Sequence, residues 1–178
     1  MLPVEQGASA SLATIAEAVA SGADAVTSYM LLGHRDARSE AEEIGRNARL
    51  AWACERFGVL LMIEPRHVRE RLRPESKAGP DVMSLYCHIA AEVGADLVKC
   101  IWGGSVSTMS DVATCPAPVL MAGGRKQEDP NQSLRLASDA AKAGCRGLVF
   151  GCNVFQAAEP GEMLRTLRER LSGECPTN

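Results

Sequence analysis

Apolar residues along this chain follow two alternating rhythms. Leu12, Ile15, Ala16 and Val19 repeat at helical spacing, Ser21-Gly22 ends that helix, and Ala23 to Leu32 follows as an extended apolar run. The same order returns twice. A helix from about Ser39 to Phe57 stops at Gly58 before the strand Val59 to Ile63, and one from about Asp81 to Val93 stops at Gly94 before Leu97 to Trp102. Gly22, Gly58 and Gly94 lie 36 residues apart, a length that suits one strand, one loop and one crossover helix. Side chains outside this punctuation do not match, so the repeat is a βα cadence and not a solenoid. Two further units follow: a helix from about Thr108 to Ala113 with the strand Pro118 to Ala122, then a helix from about Gln132 to Ala143 with the strand Gly147 to Phe150. An amphipathic helix, Gly161 to Leu171, closes the pattern, and Ser172 to Asn178 reads as a flexible tail.

The predicted strands are nearly continuous apolar runs, as in a parallel sheet covered by helices on its faces. That leaves a doubly wound open sheet or a (β/α)8 barrel. Neither a dinucleotide nor a P-loop glycine fingerprint follows the first strand, which favours the barrel. At 178 residues the chain fits one domain, spanning 1–178. Its net charge is −3 with both signs interspersed, so no basic stripe invites nucleic acid and no polybasic cluster invites a membrane surface. Seven cysteines without a CxxC pair, and histidines scattered at 34, 67 and 88, give no metal-ligand spacing. Free thiols, no basic-then-apolar leader and no run of about 18 apolar residues point to the cytoplasm.

Functional groups of parallel α/β folds gather at the C-terminal ends of the strands. The second strand ends in Glu64-Pro65-Arg66, the third carries Lys99 before Trp102, the fourth runs into Gly123-Gly124-Arg125-Lys126 and the fifth into Gly151-Cys152-Asn153. Lys99 is a charge in an apolar strand; a buried amine sheds its proton and becomes a nucleophile toward carbonyls. Period two puts Leu60, Met62 and Glu64 on one face and Leu97, Lys99 and Ile101 on another. If both faces point into the barrel, Glu64 and Lys99 lie about 5 Å apart on adjacent strands and can share a proton. A structural ion pair explains the same placement. The glycines after the last two strands suit phosphate held by backbone N–H groups, and they suit ordinary tight turns as well. His34 and His67 follow strand ends and read as loop residues, His88 as a packed helix residue, and Trp102 as a core cap. Cys100 should face the helices.

These segments resemble the DeoC/FbaB/LacD-type class I aldolases, which include archaeal-type fructose-bisphosphate aldolase, the autoinducer-2 phosphate-processing enzyme and tagatose-bisphosphate aldolase. The resemblance rests on Gly22 to Val26, Glu64 to Arg66, Gly94 to Lys99, Pro118 to Lys126 and Gly151 to Gln156, in the family's order and spacing. It implies a partial (β/α)8 barrel of about five βα units, equivalent to strands 4 to 8, with Lys99 as the Schiff-base lysine. The family's first three strands have no counterpart, which implies an N-terminally truncated chain or a partner that supplies them. Fructose-bisphosphate relatives carry tyrosine where Glu64 stands; glutamate there is closer to the tagatose-bisphosphate enzymes, where it transfers protons. Many relatives have Gly-Arg-Asn where this chain has Gly151-Cys152-Asn153, so a phosphate-holding arginine is lost and Arg125 or Lys126 must compensate.

The expected activity is therefore carbon–carbon cleavage or formation in a phosphorylated ketose. Lys99 and Glu64 are the expected catalytic residues, and Gly123, Gly124, Arg125, Lys126, Gly151, Cys152 and Asn153 the expected phosphate and substrate contacts. No cofactor and no metal are called for, and the expected partners are the sugar phosphate and further copies of the chain. Two alternatives stand beside it: a non-catalytic fragment that binds or assembles, and an acyl- or aldol-transfer enzyme on a related phosphosugar such as an autoinducer-2 phosphate derivative.

Overall fold

The computed structural model describes residues 13–68 and 79–172. The predicted tail beyond Ser172 lies outside them, as does Leu12 of the first predicted helix. The elements in order are α1 (Ile15–Ala20), β1 (Ala25–Leu32), α2 (Ala37–Phe57), β2 (Leu60–His67), α3 (Pro80–Glu92), β3 (Leu97–Ile101), α4 (Val106–Ala113), β4 (Val119–Ala122), α5 (Pro130–Lys142), β5 (Gly147–Val149), α6 (Cys152–Phe155) and α7 (Pro160–Ser172). The strands form one parallel sheet in the order β1-β2-β3-β4-β5. Sequential order without a reversal decides against the doubly wound alternative, whose strand order reverses at the ligand crevice.

Local chemistry explains the element ends. The Asp36 carboxylate accepts from Ser39 N at 2.8 Å to start α2, and Gly58 ends it with φ 68°. Gly22 and Gly94 also have positive φ, so the 36-residue punctuation marks the same turn three times. One boundary departs from the sequence pattern. β2 continues through Glu64-Pro65-Arg66-His67, four residues past the predicted end. Leu60 N donates to Asp24 O, so even-numbered residues of β2 bond toward β1 and odd-numbered ones toward β3. The N–H that Pro65 lacks is therefore on the β3 side, beyond the last paired residues Ile63 and Val98.

Two compact units divide the chain between Val98 and Lys99. In the first, Leu61 and Ile63 of β2 and Met30 and Leu32 of β1 are buried, with α2 and α3 packed on these strands. Asp96 ties the start of β2 to β3: its N–H donates to Leu61 O at 2.9 Å and its carboxylate accepts from Leu61 N at 2.8 Å. In the second, Ala137 of α5, Val154 of α6 and Leu167 of α7 form a core with Leu148 and Phe150 against it.

β1 is an outer strand, and its odd-numbered residues turn their backbone groups away from β2. Side chains of α2 meet them. Glu40 accepts from Gly33 N at 3.2 Å, Glu43 accepts from Leu31 N at 2.8 Å, and Arg46 donates to Tyr29 O. Asn47 Nδ2 donates to Glu43 O at 3.1 Å and lies 3.4 Å from Tyr29 O. Arg46 also pairs with Glu43 at 2.7 Å, so the buried carboxylate is matched in charge as well as in hydrogen bonds. Spacing of three along α2 sets Glu40, Glu43 and Arg46 in one row.

Candidate functional site

β2 delivers the first group of predicted residues. Glu64 falls on the face of Leu60 and Met62, as period two requires, and burial deepens along that face from the exposed Leu60 to Glu64 at 2 %. A carboxylate this buried needs partners. Arg66, next on the same face, supplies one: its Nε donates to Glu64 Oε1 at 2.9 Å while the rest of its side chain is partly open to solvent. His67 turns the other way and meets α3, with Nδ1 3.1 Å from the Tyr86 hydroxyl and the rings stacked at 6.2 Å. His67 is thus a strand residue joined to a helix, not the loop residue its position suggested. His34 is half-buried with its N–H on Glu40, and His88 Nδ1 lies 2.9 Å from its own helix's Ser84 O.

Lys99 departs from its expected setting. Val98 and Cys100 are fully buried, whereas Leu97, Lys99 and Ile101 form the half-buried face of β3. The lysine belongs to the more open side of an alternating strand, because burial here follows the helix-packed face and not the whole run. Cys100 lies on the buried face, as expected. Lys99 is the one lysine in any described strand.

The loops after β4 and β5 carry the remaining predicted residues. Gly123 N donates to Val149 O at 3.1 Å, so this N–H is committed to β5, and a Cβ at Gly123 would lie 2.5 Å from the Phe150 ring. Gly123 contributes close packing. Gly124, Arg125 and Lys126 are exposed. Gly151 opens α6, its carbonyl accepting from Val154 and Phe155 N at 2.9 Å, so the segment read as a turn is one helical turn. Cys152 is exposed at the start of that turn, and Asn153 is buried within it at 5 %. Asn153 Nδ2 donates to Gly123 O at 3.0 Å and Arg125 O at 3.3 Å, and its Oδ1 accepts from Gln127 N at 2.8 Å. The structure thus joins Asn153 to the Gly123–Arg125 stretch and adds Gln127, which the sequence pattern did not single out. Cys145 contrasts with Cys152: burial, and then the neighbouring Cys100, push its thiol up to about 11.

The profile of the DeoC/LacD family aldolases matches residues 3–157. The chain belongs to this family. A 2-amino-4,5-dihydroxy-6-oxo-7-(phosphonooxy)heptanoate synthase of Streptomyces griseus is 33% identical over 163 residues, which are 90% of this chain and 57% of that protein. An archaeal fructose 1,6-bisphosphate aldolase superposes with a TM-score of 0.80 at 27% identity, covering 92% of this chain and 64% of that one. A further archaeal fructose-1,6-bisphosphate aldolase, solved with its catalytic Lys covalently bound to the carbinolamine intermediate of the substrate, gives 0.78 at 26%, covering 90% of this chain and 62% of that one. The chain thus spans less than two thirds of these relatives' length, and its fold is a partial (β/α) barrel of five parallel strands. No helix among the described residues is long and apolar enough to cross a membrane.

Proposed function

We propose that the chain carries the Schiff-base half of a class I aldolase acting on a phosphorylated ketose. The observation that carries this reading is Lys99, the one lysine in any described strand, in a chain whose 26%-identical structural relative holds its intermediate on a catalytic lysine. The Lys99 amine attacks the ketose carbonyl, the carbinolamine loses water, and the resulting iminium accepts the electron pair as the adjacent carbon–carbon bond breaks. Glu64 takes the proton of the substrate hydroxyl as the aldehyde leaves. Gly124, Arg125, Lys126, Gly151 and Cys152 are the candidates for the phosphate end, with Gly123 and Asn153 shaping the turn. Assembly with further copies of the chain is part of this reading.

Borohydride trapping in the presence of fructose 1,6-bisphosphate tests it. Wild type should gain the mass of the reduced adduct and Lys99→Ala should not; a wild type that traps nothing overturns the proposal. A second reading, aldol or acyl transfer on another phosphosugar, draws on the 33%-identical relative, which is named as the synthase of a phosphonooxy-bearing product. The same trapping with a panel of phosphorylated ketoses separates the two.

A further inference from the structure

Asn153 has more structural work than a substrate contact needs. Its carboxamide is 5 % exposed, and all three of its hydrogen bonds reach back 26 to 30 residues to a single turn. Both Nδ2 hydrogens are committed, to the carbonyls of Gly123 and Arg125, and Oδ1 holds the N–H of Gln127. The turn is therefore gripped at its first, third and fifth residues by one side chain. Between the grips, the N–H groups of Gly124, Arg125 and Lys126 form no hydrogen bond with any described residue, and these residues are exposed. Gly124 has φ 66°, a conformation that other residues rarely adopt. Backbone donors that are held in place and left unsatisfied, beside a guanidinium and an ammonium, suit a phosphate dianion.

We propose that Asn153 is a positioning residue: it does not touch the phosphate but holds the Gly123–Gln127 turn in the shape that receives it. This rests on the phosphorylated-substrate reading above. A carboxamide is the only side chain of this size that supplies two donors and an acceptor at once, so the isosteric Asn153→Asp removes both donors and sets a carboxylate against two carbonyl oxygens.

The test titrates inorganic phosphate calorimetrically into wild type and Asn153→Asp, and measures borohydride trapping against the concentration of fructose 1,6-bisphosphate and of unphosphorylated dihydroxyacetone. Loss of the two Nδ2 hydrogen bonds should weaken phosphate binding and raise the half-saturating concentration of the bisphosphate by roughly tenfold or more. The trapping plateau, and trapping of dihydroxyacetone, should stay at wild-type level, which a general loss of structure would not permit. Phosphate binding unchanged in the variant overturns the inference, as does a wild type that binds no phosphate, or dihydroxyacetone trapping that falls in step. If Asn153→Asp does not fold, Gln127→Pro, which removes the N–H that Oδ1 accepts together with the Gln127 side chain, should raise the same half-saturating concentration above that of Gln127→Ala, which keeps the N–H, and no difference between the two overturns the inference. The aldolase reading fails separately: wild type that binds phosphate, loses it in the variant and yet traps no ketose keeps the brace and rejects the lyase.

Discussion

At the end of β2 charge meets charge, whereas in the loops after β4 and β5 a neutral amide does the holding. Glu64 and Arg66 form an ion pair in which the arginine is partly solvated and the carboxylate is buried. Asn153 has no charge to lose and both its donors are spent on carbonyls. The first arrangement suits a group that moves a proton. The second suits one that keeps backbone geometry constant across a reaction.

Substitutions should separate these roles, the largest effect first. Glu64→Gln keeps the volume and removes the base, so turnover should fall about 100- to 10,000-fold; steady-state kinetics at neutral pH read this, and a loss below tenfold rejects the proton-transfer role. Gly123→Ala forces a methyl to 2.5 Å from the Phe150 ring and should cost about 1–3 kcal/mol of unfolding free energy in urea. Arg66→Ala removes one partner of a buried carboxylate and should also destabilise, by roughly 1–3 kcal/mol, but with turnover falling alongside, whereas Gly123→Ala in the other region should leave borohydride trapping of dihydroxyacetone near the wild-type level. The smallest effect lies outside both regions. Hydrogen bonds from the Ser39 N–H and hydroxyl hold the Asp36 carboxyl below its ordinary range. Its stabilisation of α2 is thus fully present above that range and is lost as pH falls through the lowered value. Asp36→Asn keeps an N-cap without the charge, so helicity followed by circular dichroism should lose less on acidification than in wild type.

The cadence of five βα units is readable in the sequence because helix and strand periods alternate cleanly between positive-φ glycines. Catalytic candidates are readable for a related reason: Glu64 and Lys99 are charges inside apolar runs. What surrounds them is not. Pro65 resembles a strand stop, and only the pairing of β2 shows that its missing N–H falls beyond the last pair with β3 while β2 still pairs with β1. Lys99 looks buried in a continuous apolar run, yet its strand alternates between buried and half-open residues. The one-turn α6 is too short to show a period, and the partners of Asn153 are backbone atoms more than twenty residues upstream, which no side-chain pattern reveals.

The row of Glu40, Glu43 and Arg46 along β1 bears on the chain's behaviour at high concentration. Cross-β growth needs a row of unsatisfied backbone groups along a segment of about six or seven residues. Tyr29 O, Leu31 N and Gly33 N are already bonded by side chains of α2, so among the described residues of β1 only Ala25 and Thr27 offer both outward groups to an incoming strand. That is too short a template to seed a fibril, and lengthening it means stripping two carboxylates and a guanidinium from their bonds. The helix that follows β1 in sequence therefore keeps the sheet's open side from recruiting strands in a crowded solution.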